Sequence, residues 1–151
     1  MKNLLLATMI LAFSIGCLGS PLDEGFETWP PYGWTIIQGP CSPINDIIQT
    51  SEYAHSGSYS ARFSSFDLCG SGYDEYLITP ELVVTPGDQT ISFYYRRYSS
   101  GSETFRVGWS TTGNNIPDFT WSSNITNANT NWSQYIKDDL PVGTKYVCIH
   151  Y

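Results

Sequence analysis

His55 and His150 are the only histidines in this sequence. Hydrolytic use of either would need a nucleophile held by the ring and an acid to orient it. Serine is scattered along the whole chain, so nearness in sequence selects no partner. Neither a nucleophile elbow nor zinc-ligand spacing occurs, and His55, just ahead of Ser56-Gly57, reads as a residue that orders a turn. Asp74 and Glu75 could suggest the paired carboxylates of glycoside hydrolysis. Neighbouring strand residues point to opposite faces, however, so these two cannot flank one bond. No catalytic residue is assigned, and the expectation is that the chain is not an enzyme. Binding chemistry is better provided for. Trp29, Tyr32, Tyr94, Tyr98 and Trp121 are flat amphipathic rings of the kind that stack on sugars at low entropic cost. Tyr94, Tyr98 and Trp121 are the candidate ligand-binding residues. The first two share the polar side of a strand with Ser92 and Arg96.

The elements that position these residues are strands. In Thr90 to Tyr98, Ile91, Phe93 and Tyr95 alternate with Ser92, Tyr94 and Arg96, the period of two that buries one face of a strand and wets the other. Asp74 to Leu82 reads as its partner across the Pro86-Gly87-Asp88 turn, giving a hairpin at the centre of the fold. Pro80 removes a donor there, so pairing is expected to be one-sided or to end nearby. Further strands are expected at Phe26 to Trp29, Trp34 to Ile37, around Ile47, at Tyr59 to Ser64, Glu103 to Ser110, near Phe119 to Trp121, at Trp132 to Lys137 and at Lys145 to Tyr151. No segment holds a helical period over three turns. Short strands punctuated by turns predict an antiparallel all-β sandwich or jelly roll. Val147 to Ile149 reads as a core strand with no closing turn after it, which would leave an unpaired edge. The chain therefore reads as a fragment short of its closing strands.

The length of 151 residues suits one domain with a real core. Aromatic residues at 15% against 14% charged fit a secreted β protein and argue against disorder. Met1-Lys2-Asn3 followed by the apolar run Leu4 to Ile15 and the small residues Gly16, Cys17 and Gly19 reads as a cleaved signal over residues 1–19. Residues 20–25 then form a lead-in and 26–151 the domain. The alternative is a lipoprotein acylated at Cys17. No later segment is apolar enough to span a membrane. Loss of Lys2 with the leader takes the formal charge from −7 to −8, which argues against nucleic acid and anionic lipid as partners. In an oxidising compartment Cys41 and Cys69, both in loop sequence, form the natural disulfide, and Cys148 reads as a small buried hydrophobe or as a thiol paired elsewhere.

Several stretches also resemble one family in order and spacing. They are Gly25-Phe26-Glu27, Pro31-Tyr32-Gly33-Trp34-Thr35-Ile36, His55-Ser56-Gly57-Ser58, Asp74 to Leu82, Val107 to Asn114 and Leu140 to Val147. The sequence is similar in these to the cleaved adhesin family, the adhesin modules of gingipain-type surface proteases, related to MAM-like and choice-of-anchor J modules. The resemblance covers residues 24 to 151. It implies a galactose-binding-like jelly roll, a secreted or cell-surface location, structural calcium, and an adhesive role among further domains of a larger bacterial protein. It also implies calcium ligands at Glu27, Asp23 and the turn ending at Ser58. Surface glycan and host or matrix protein are the expected partners, and a carbohydrate-binding accessory module of a secreted hydrolase or protease is the alternative. Two departures stand out. Gln38 to Pro43 replaces an Asp-rich segment of the family, and the family's final Asp-Asp strand is expected beyond Tyr151.

Overall fold

The computed structural model describes residues 2–10, 22–39, 46–65, 74–98, 101–127 and 129–151. Twelve strands run in chain order: β1 (Lys2–Ile10), β2 (Asp23–Glu24), β3 (Thr35–Ile37), β4 (Ile48–Thr50), β5 (Ser60–Ser65), β6 (Tyr76–Ile78), β7 (Ile91–Arg97), β8 (Glu103–Ser110), β9 (Thr120–Trp121), β10 (Ile125–Asn127), β11 (Ser133–Lys137) and β12 (Tyr146–His150). A single 3-10 turn, Ile116–Asp118, is the one helical element among the described residues. The strands form two antiparallel sheets. The first has the order β11-β7-β1-β5-β4 with β2 on β1, and the second β10-β8-β12-β6-β3 with β9 on β8.

The alternation read from sequence decides which side chains meet between the sheets. Ala61 and Phe63 from β5, and Ile91 and Phe93 from β7, are buried against Leu77, Phe105, Val107, Val147 and Ile149 of the second sheet. Phe93 stacks on Tyr135 and stands 6.2 Å from Phe105 across the core. Truncation of such a ring to alanine costs about 3–5 kcal/mol. In the second sheet, β6 and β12 are covered on both faces. Leu77, Val147 and Ile149 point into the main core. Ile78 and Cys148, one residue out of phase, pack with Phe119 on the outside. The Thr111–Trp121 excursion that carries the 3-10 turn supplies this outer cover. Strands buried on both faces lose the simple apolar/polar alternation, which is why Tyr146–His150 reads as a continuous apolar run.

Three expectations need correction. The two segments read as a central hairpin lie in different sheets: β6 pairs with β3 and β12, and β7 with β1 and β11. The pairings that separate them join segments distant along the chain, and Pro80 has no N–H with which to extend β6. Beyond Ile78 the chain stays beside β12 only through single contacts, Thr79 N to Val147 O and Leu82 N to Lys145 O, before it crosses to the other layer. The strand expected at Phe26 to Trp29 is irregular backbone, with Phe26 at φ 59° and its amide donating to Glu24 Oε1. The third concerns β12. It is an interior strand, paired with β6 on one side and β8 on the other, and not an open edge.

Lys2–Ile10, read from sequence as the start of a cleaved leader, is the strand between β5 and β7, antiparallel to both. Cys17, Cys41 and Cys69 lie outside the described residues. Cys148 is a buried free thiol, and burial pushes its pKa up.

Candidate functional site

The outer face of the first sheet gathers rings and cations from four elements. Tyr94 and Arg96 project from β7 on the side opposite Phe93, and Tyr98 follows just beyond the strand. Trp132 immediately precedes β11, whose register sets Gln134 against Tyr94. Tyr53 and His55 come from the turn after β4. His55 lies flat on Tyr94, with centroids 3.6 Å apart and planes at 10°, and presents its edge to Trp132 at 5.6 Å. The Arg96 guanidinium carbon sits 3.9 Å above the Tyr53 ring and 5.6 Å from that of Trp132. Tyr53 meets Tyr98 edge-on at 5.8 Å. The Tyr98 hydroxyl donates to Glu52, and this bond, more than any burial, raises the phenol pKa. Glu52 also faces Arg62 at 3.7 Å. Cation–π contacts of this kind contribute about 0.5–1 kcal/mol each at exposed sites.

Of the candidate ligand-binding residues, Tyr94 and Tyr98 share this face, while Trp121 lies on the outside of the opposite sheet. Alternation along β7 places Arg96 on this face, though sequence reasoning did not name it a ligand-binding residue, and it missed Tyr53, His55 and Trp132 as members. These three arrive from two other segments, the turn after β4 and the approach to β11, and become neighbours of Tyr94 only through strand order.

Around Trp121 a second cluster forms. Arg106 stacks over the indole at 4.4 Å and donates from Nε to His150 Nδ1 at 2.7 Å. His150 Nε2 faces Asp74 Oδ1 at 3.1 Å, and the imidazole lies parallel to Tyr76 at 4.2 Å. A neutral ring with its proton on Nε2 satisfies both partners. Burial holds the His150 pKa below its ordinary value, against the opposing pull of Asp74. Both nitrogens are engaged, so neither is free to take a proton from a hydroxyl. A cavity of about 300 Å³ opens beside this group, lined by Thr104, Phe105, Arg106, Asn124, His150 and Tyr151.

The residues expected at a calcium site are only partly brought together. Glu27 Oε1 accepts hydrogen bonds from the amides of Ser58 (2.8 Å) and Tyr59 (3.1 Å). Gly57 makes the turn possible with φ +66°, and a Cβ there would run into the Glu27 carboxylate. Asp23 is exposed in β2, opposite Ile10. Calcium wants six to eight oxygens, whereas at Glu27 Oε1 the turn offers N–H donors. Among the described residues no group of three or more acids, histidines or cysteines could hold a metal.

No helix among the described residues is long and apolar enough to cross a membrane. No match was found among curated proteins. Solved structures that share the fold include two gingipain domains. The K2 cleaved adhesin domain of Lys-gingipain is 22% identical with a TM-score of 0.61, over 80% of this chain and 81% of that one. The K3 cleaved adhesin domain of Lys-gingipain from Porphyromonas gingivalis w83 is 24% identical with a TM-score of 0.61, over 80% of this chain and 82% of that one. The family model described as the Cleaved Adhesin Domain matches residues 20–151, and the chain belongs to that family.

Proposed function

We propose that this chain is an extracellular, non-catalytic adhesion module of a larger secreted bacterial protein, and that it holds a surface glycan or a host or matrix protein through the Tyr53–Arg96–Trp132 face. The observation that carries this reading is Arg96, whose guanidinium lies 3.9 Å from the Tyr53 ring and 5.6 Å from that of Trp132. Trp, Tyr and Arg are the residue types that dominate binding energy at interfaces. The test is a glycan array and a panel of matrix proteins probed with the folded chain. Arg96→Ala and Trp132→Ala are each expected to weaken the selected interaction at least tenfold while lowering the melting temperature by only a few degrees. Binding unchanged in both variants overturns the reading.

The second reading is a carbohydrate-binding accessory module of a secreted hydrolase or protease, and the cavity beside Arg106 and His150 favours it. Its signature would be glycan binding that Asn124→Ala abolishes and Arg96→Ala leaves intact. Calcium enters the proposal only as a stabiliser of the Glu27 turn, with further oxygens recruited from outside the described set. Melting the chelator-treated chain with and without added calcium tests this. A rise that Glu27→Gln removes supports the role, and no rise excludes it.

A further inference from the structure

The outer face of the second sheet carries an arginine whose charge meets no acid. Register sets Tyr76 of β6, His150 of β12 and Arg106 of β8 side by side, and Asn124, the residue before β10, comes level with Arg106. Arg106 and His150 are half-buried. Arg62, Lys137 and Lys145 each pair with a carboxylate. Among the described residues Arg106 has no such partner. Its one hydrogen bond there runs from Nε to Nδ1 of the neutral His150 ring, which in turn faces Asp74, and its guanidinium lies over the Trp121 indole. With Nε committed, the edge formed by Nη1 and Nη2 remains, four N–H donors without a protein acceptor among the described residues. That is the edge on which a carboxylate can accept two parallel hydrogen bonds.

We propose that the cavity beside Arg106 is a binding site for an acidic sugar, a uronate whose carboxylate docks on the Arg106 guanidinium. This ligand class presupposes the accessory-module reading of the same cavity. Three features select it. The volume of about 300 Å³ lies at the lower end for small-molecule pockets, which suits a single sugar ring. Arg106 is the one cation that lines it, so it balances one negative charge. In a chain of formal charge −7 a doubly charged phosphate there would meet net repulsion, and a monovalent carboxylate is the better match. Around the cation stand neutral polar groups, the Thr104 hydroxyl and the Asn124 amide, both on exposed residues at the rim. A hydroxyl and an amide can each donate to and accept from the ring hydroxyls of a sugar. Hydrogen bonds between a guanidinium and a carboxylate are about twice as strong as neutral ones, so the site should favour a uronate over the neutral sugar with the same ring.

The test titrates the full chain with glucuronate and galacturonate, with glucose and galactose as their neutral counterparts and acetate as a bare carboxylate. Binding is read from amide and indole NMR shifts. One uronate is expected to bind about tenfold more tightly than its neutral counterpart and than acetate, and to move the Trp121 indole signal. Arg106→Gln should remove that preference, and Arg106→Lys should keep only part of it, because an ammonium lacks the planar fork. Thr104→Asp leaves the Arg106–His150 contact in place and sets an acid at the rim. It should weaken uronate binding about tenfold, and it gives the same answer should Arg106→Gln not fold. Equal affinity for uronate and neutral sugar, acetate binding as well as uronate, or a preference that survives Arg106→Gln or Thr104→Asp overturns the proposal. A neutral glycan held through Asn124 with no preference for uronate would do so too, yet leave the accessory-module reading standing. No binding of any sugar would overturn both.

Discussion

Glu75 is fully buried, and neither carboxylate oxygen has a hydrogen-bond partner of good geometry among the described residues. Burial pushes its pKa from 4.5 up to about 7; the Ser64 amide offsets this only in part, and the charge of Asp46 adds to it. The sign follows from linkage. A carboxyl whose folded pKa is raised stays protonated in the native state while the unfolded chain has already released its proton. Below about pH 4.5 Glu75 is protonated in both states and costs nothing. Between pH 4.5 and 7 stability falls as pH rises, by about 3 kcal/mol in all, and then levels off. Glu75→Gln should therefore match the parent at pH 4 and exceed its stability at pH 8, read from denaturant melts across that range. Parallel pH profiles for the two proteins would rule the account out. Nothing local in the sequence marks Glu75 for burial, because its enclosure comes from backbone pairing with Tyr151, distant along the chain.

Among the elements, β6 ends two residues before Pro80. Its ladder with β12 stops after Ile78, and the next residue finishes the pairing by another route. Thr79 N donates to Val147 O at 2.9 Å, and the Thr79 hydroxyl accepts the buried Val147 amide at 3.0 Å. Thr79→Val keeps the shape and strands that amide, so a loss of about 1–3 kcal/mol is expected in chemical denaturation. Thr79→Ser, which keeps the oxygen, should recover most of it. An equal loss from both variants would place the effect in packing instead. On the neighbouring strand, a Cβ at Gly108 would stand 2.7 Å from Trp121 Cζ3. Gly108→Ala should lift the indole off the sheet, shift its fluorescence to the red and cost about 1–3 kcal/mol. Strand positions were legible in the sequence because alternation is a local property, seen in Ile91-Phe93-Tyr95 and in Phe105-Val107. The sheet each strand would join was not legible. β6 and β7 are neighbours in sequence and belong to opposite layers, and only contacts distant along the chain settle that.

For the whole molecule, the sandwich and its aromatic interior could be read from composition and period, since apolar rings with few charges must be buried somewhere. The binding face could be read only in part. Tyr94 was found through its strand, but His55 and Trp132 reach it from turns that no periodicity marks. Nor does the sequence show that the leader-like segment completes a sheet, because its apolar run serves either fate equally well. The structure makes the consequence measurable. A chain that starts at Ser20 lacks β1, so β5 loses one of its two partners and β7 keeps only β11. The second sheet loses no partner, because β8, β12, β6 and β3 pair with one another. Amide exchange should then divide the domain into two halves. Arg62 to Ser64 and Ser92 to Arg96 should exchange at least tenfold faster than in the full chain. Val107 to Trp109 and Val147 to Ile149 should keep most of their protection, with a lower melting temperature overall. Protection that falls evenly across both sheets would mean that β1 supports the fold globally and does not close one layer. Protection unchanged in β5 and β7 would mean that the pairing with β1 contributes nothing to stability.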